Sequence, residues 1–76
     1  MKLISTFRER NSLNRTQTII SDNCTIAQAF DMIEKWCTDN NANMPRTCDI
    51  WKVKGIITVH IVTKDDKYLN IFDIID

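Results

Sequence analysis

The chain has 76 residues, 43% of them apolar and 26% charged, with ten Lys and Arg balanced by ten Asp and Glu. That is the composition of one small globular domain, residues 1–76, and it excludes a disordered chain. A chain this short buries only about 60% of its unfolded surface, so its core is thin, and zero net charge speaks against a general nucleic-acid binder.

No stretch reaches the ~18–20 apolar residues of a membrane span, and charge arrives too early after Met1 for a signal-peptide core. The expected compartment is the cytoplasm, with no membrane partner. Cys24, Cys37 and Cys48 are odd in number and far apart. That spacing fits reduced thiols rather than a disulfide framework. Charge is unevenly spread. Lys2, Arg8, Arg10 and Arg15 outweigh Glu9 near the start, and Asp65, Asp66, Asp73 and Asp76 outweigh Lys64 and Lys67 near the end. The two quarters are expected to face each other.

Residues 2–8 read as a strand, with Leu3, Ser5 and Phe7 on one side and Ile4, Thr6 and Arg8 on the other. The polar stretch 9–14 is a turn. Residues 15–21 are β-prone again, which makes an N-terminal hairpin. After a connection at 21–24 comes one helix, from Thr25 to about Asp39. Thr25 and Gln28 fit a capping box, and Ile26, Ala29, Phe30, Ile33, Trp36 and Cys37 form a stripe to be buried. Asp31 and Lys35 are spaced for an ion pair. The Asn-rich stretch to Pro45 ends the helix, and Met44 is expected to pin the loop to the core.

Residues 48–75 read as a three-stranded antiparallel meander around Ile56–Thr63, taken as the central strand. Lys54-Gly55 makes one turn, since Gly accepts positive φ at the second position, and Asp65-Asp66 makes the other. Register then sets Val53 against Ile56, Trp51 against Thr58 and Asp49 against His60. Beyond the second turn it sets Thr63 against Tyr68, Ile61 against Asn70 and Val59 against Phe72. The fold class is α+β in the order β-β-α-β-β-β, one helix packed on an antiparallel sheet.

This register puts Cys48, Ile50, Lys52, Ile57, Val59, Ile61, Asn70, Phe72 and Ile74 on one face. The other carries Asp49, Trp51, Val53, Ile56, Thr58, His60, Val62, Leu69, Ile71, Asp73 and Ile75. Both are too apolar for a solvated face, and one helix covers only one of them. The second must be covered by the N-terminal segment, by a second copy in a homodimer, or by another protein. Trp51, Val53, Ile56, His60, Val62, Leu69 and Ile71 are the candidate protein-binding residues.

Signals for chemistry are sparse. His60 opposite Asp49 would be an oriented base, but no nucleophile or polarising group is placed beside it. The three Cys and one His lack the close pairs of a zinc site, and the cysteines are expected as small buried hydrophobes. Gly55, the only glycine, leaves no phosphate-binding loop. No enzyme activity, metal or cofactor is expected. The first reading is a small regulator that binds another protein and modulates it as an inhibitor. The Ile-, Asn-, Lys- and Asp-rich composition and the size suggest a phage or mobile-element protein acting on a host system. The alternative is a nucleic-acid-binding regulator using Arg8, Arg10, Arg15, Lys52 and Lys54.

Overall fold

The computed structural model describes residues 1–76. Its strands are β1 (Lys2–Glu9), β2 (Thr16–Ser21), β3 (Ile50–Val53), β4 (Ile56–Val62) and β5 (Tyr68–Ile75), with helix α1 (Ile26–Asp39) between β2 and β3. The element order is the expected β-β-α-β-β-β. All strands are antiparallel in one sheet, ordered β2-β1-β5-β4-β3. The middle strand is therefore β5. The β4 segment, read as a central strand with a hairpin on each side, is one, paired with β3 and β5. Its β-branched run needs packing on one face and two paired neighbours, and fourth place supplies both.

α1 starts where its sequence signals say. Thr25 takes the Gln28 N–H on its hydroxyl at 3.1 Å, and Gln28 Oε1 takes the Thr25 N–H at 2.9 Å. Ala29, Ile33 and Cys37 are buried against the sheet, while Phe30 and Trp36 are half-buried. Ile26 departs from the expected stripe and is exposed. It is the first helical residue, about two turns from Ile33 at the centre of the contact. The ion pair on this helix joins Lys35 to Asp39 at 2.8 Å instead of Asp31 to Lys35.

The core lies between α1 and the face that carries Leu3, Ile57, Val59, Ile61, Phe72 and Ile74. Trp36 bridges the layers, edge-on to Phe7 at 6.0 Å and to Phe72 at 5.8 Å. Three polar side chains are buried on this side of the sheet, Ser5, Thr63 and Asn70. Ser5 Oγ donates to Asn70 Oδ1 at 2.7 Å. Asn70 is fully buried, and its Nδ2 has no partner in the chain.

Two turns set the registers of β3, β4 and β5. Lys54 (φ 53°) and Gly55 (φ 82°) form a two-residue turn with both central residues left-handed, which matches the twist of the strands it joins. Val53 pairs with Ile56 and Trp51 with Thr58, as read from the sequence. The second turn is looser than a two-residue Asp65-Asp66 turn. Thr63 and Tyr68 close it, and positive φ falls at Asp66. The expected pairs Ile61 with Asn70 and Val59 with Phe72 form.

After α1 the chain crosses to the far edge of the sheet. Asn41 takes a positive φ, Ala42 is buried and bridges Thr63, and the Asn43 N–H donates to the Val62 carbonyl. Ala42 anchors the loop, and Met44 is exposed, contrary to expectation. Residues 47–49 form one 3-10 turn, so β3 begins at Ile50 and not at residue 48. Cys48 is thereby exposed rather than set on a strand face, while Cys24 and Cys37 are buried; all three are free thiols. No helix is long and apolar enough to cross a membrane.

Candidate functional site, an uncovered sheet face

The N-terminal hairpin does not fold over the sheet. It extends it, because β1 pairs along its whole length with β5, from Lys2 opposite Ile75 to Glu9 opposite Tyr68. The basic start and acidic end of the chain meet in this ladder, and Arg10 pairs with Asp66 at its tip. Extension makes the sheet five strands wide and leaves its second face without a layer over it.

Alternation along the strands decides what that face carries. Trp51 and Val53 come from β3, Ile56, Thr58, His60 and Val62 from β4, and Leu69, Ile71, Asp73 and Ile75 from β5. All seven residues named from sequence as protein-binding therefore share one face. Trp51 is 46% exposed, Val53 63% and Ile56 42%, and His60, Val62, Leu69 and Ile71 are half-buried. Ile4 and Thr6 from β1 and Ile19 from β2 continue the face. Sequence reasoning missed this extension. Residues 2–8 showed the alternation, but nothing local said which strand β1 would join.

The surface is not flat. A cavity of about 490 Å³ lies between the 43–49 loop and the sheet, with Met44, Arg46 and Asp49 on its wall and Trp51, His60 and Val62 on its floor. A second, of about 440 Å³, lies between Ile4, Ile56 and Ile75, with Lys54 and Asp73 at its polar edge. A third, of about 470 Å³, brings Arg15 and Gln17 near Ile71 and Asp73.

The polar groups of the face are largely committed. Thr58 Oγ1 donates to Asp73 Oδ1 at 2.7 Å. Asp49 does not sit opposite His60, because it lies in the 3-10 turn. Its carboxylate accepts the Arg46 backbone N–H at 2.9 Å and Nε at 3.4 Å. The backbone N–H is the main reason its carboxyl is held below the usual range. His60 instead meets Trp51 edge-on, with ring centroids 4.6 Å apart. The oriented Asp–His arrangement is therefore not formed. No group of three or more His, Cys, Asp or Glu side chains is gathered anywhere.

The basic residues of the nucleic-acid reading are divided. Arg8 donates to the Ser12 carbonyl at 3.1 Å and Arg10 pairs with Asp66, both at the β1–β2 end of the sheet. Arg15 stands just before β2 at that same end. Lys52 and Lys54 lie on the opposite edge, toward the other end, and Lys52 is on the helix-covered face. What the uncovered face offers is area, shape and apolar contact. No protein family, no curated protein and no solved structure matches the chain.

Proposed function

We propose that this is a non-enzymatic regulatory protein that binds another protein through its uncovered sheet face and modulates it, in the manner of a phage-type inhibitor of a host system. One observation supports the reading above the others: a five-stranded sheet has a helix on one side only, and its other side carries an uncovered surface rich in apolar side chains, Trp51 among them, with the Thr58–Asp73 pair and His60 set into it. A marginal domain gains roughly 1.5–3 kcal/mol for each such side chain it buries fully, so this surface is costly to leave wet. Trp is the residue type most often found at the energetic centre of an interface.

The test compares the tagged chain with its Ile71→Lys variant as bait in bacterial lysate. A protein held by the wild type at raised salt and lost by the variant, with both folded by circular dichroism, supports the proposal. Phosphate-based nucleic-acid binding weakens steeply with salt, whereas apolar burial does not. Capture that disappears at raised salt, or that is equal for the two baits, overturns it.

A further inference from the structure

The charges around the uncovered face are not those around the helix. Strand alternation and the cavity walls put Lys2, Arg8, Arg15, Arg46 and Lys54 at the margins of the face, with Asp49, which holds Arg46, beside them and Asp73 at the centre. On the other side, α1 and the segment before it carry Asp22, Asp31, Glu34 and Asp39 against Lys35, with Lys52 on the covered face of the sheet. A chain of zero net charge is thus polarised, with a basic rim around its open apolar surface.

Geometry limits what can lie there. The backbone groups of a sheet point along the sheet, not out of it, so an occupant of the face must satisfy its own backbone. It is a helix or another sheet. A second copy laid face to face would bring one basic rim against another, and like charges across an interface select against that pairing. A helix fits in length as well. α1 runs its 14 residues along the covered face, from the Met1 end of β1 toward Thr63 at the far end of β4, and strands of seven or eight residues are about 23–26 Å long at ~3.3 Å per residue, which about 15–17 helical residues match.

We infer that the face takes an amphipathic α-helix of a partner protein whose apolar stripe is flanked by Glu or Asp, with one hydrogen-bond donor in the stripe to meet Asp73. The inference rests on the docking function proposed above and adds the partner's chemistry. The carboxylates would lie over Arg15 on one side and Lys54 and Arg46 on the other. Asp73 is half-buried at the centre of the face and holds the Thr58 hydroxyl. A Lys, Arg or hydroxyl in the partner's stripe would keep that carboxylate paired when water leaves. A central carboxylate also disfavours an anionic bilayer as the occupant.

Two designed helical peptides of about 16 residues are the probes. They share a Leu stripe with one central Lys and differ in having Glu or Lys along both flanks. Affinity is read by anisotropy of labelled peptide at physiological and raised salt. The acidic peptide is expected to bind about tenfold more tightly than the basic one, with the gap narrowing as salt rises. Arg15→Glu combined with Lys54→Glu is expected to reverse the preference. Trp51→Ala, and independently Val53→Ser, should weaken both peptides. Equal binding of the two peptides that is still lost in Trp51→Ala would overturn the acidic partner and leave the docking face standing. Binding of neither, with face-dependent dimers in sedimentation, would overturn the partner helix in favour of a second copy. Tighter binding to phosphatidylglycerol vesicles than to the acidic peptide would overturn it in favour of lipid.

Discussion

At the scale of single residues, the buried pair of Ser5 and Asn70 is the most exposed to substitution. Asn70 has one partner, the Ser5 hydroxyl, and a second polar group with none. Ser5→Ala alone leaves Asn70 wholly unpaired in the core and is expected to cost about 1–3 kcal/mol. Ser5→Ala with Asn70→Leu removes both polar groups and is expected to be nearly neutral or stabilising, which urea unfolding of the two variants checks. Asp65 gives a different kind of prediction. Its carboxylate takes the Thr63 hydroxyl at 2.6 Å and the Lys67 N–H at 3.1 Å. Those bonds, the hydroxyl first, hold its carboxyl below the usual range. A depressed carboxylate contributes stability that is complete above its unfolded value of about 3.9 and is lost as pH falls through the lower folded value. The melting temperature of Asp65→Asn should therefore fall less than that of the wild type between about pH 5 and pH 2.

At the scale of elements, α1 and the β3–β4 turn were legible because their signals are local. Thr25 and Gln28 stand three apart at the start of a helical period, and Lys54-Gly55 stands between two β-rich runs. The structure uses both as read. Thr25→Ala is expected to cost about 1 kcal/mol through the lost cap, and Ile33→Ala about 2–5 kcal/mol through the cavity it leaves. Phe30→Ala should cost less than Ile33→Ala despite its larger side chain, because Phe30 is only half-buried. Thermal unfolding of the three variants gives that order. The loop after α1 was not legible in the same way. Met44 was the apolar residue to expect in the core, but Ala42 takes the place, because the bridge to Thr63 is made by backbone and asks for a small side chain. The 3-10 turn at 47–49 has no period to announce it, and it removed Asp49 from the strand where alternation had placed it opposite His60.

At the scale of the whole molecule, the face assignment was legible and the strand order was not. Alternation from two fixed turns is enough to say which residues of β3, β4 and β5 share a side. The pairing of β1 with β5 joins residues about seventy positions apart, and no local pattern encodes it. The candidate site was therefore read about three strands wide when it is five. The two faces should respond differently to truncation. Phe72→Ala, beneath α1, is expected to cost about 3–5 kcal/mol of stability. Trp51→Ala, on the uncovered face, should cost no more than about 1 kcal/mol while weakening association by about 2 kcal/mol or more. Guanidinium unfolding measures the first difference, and sedimentation with a partner measures the second.

The middle position of β5 has a consequence for how the chain is made. β5 is the last of the five strands to leave the ribosome, yet it is the only connection between the β1–β2 hairpin and the β3–β4 hairpin. Until it emerges, the nascent chain holds two separate ribbons, each of the marginal two-stranded kind. Each also presents an unpaired edge, on β1 and on β4, of the sort that invites pairing with other chains. Folding is then completed by the most distant contacts in the sequence rather than the nearest, which slows a small domain for its size. Those two edges stand open until residues 68–75, the segment that closes the sheet, pair with both.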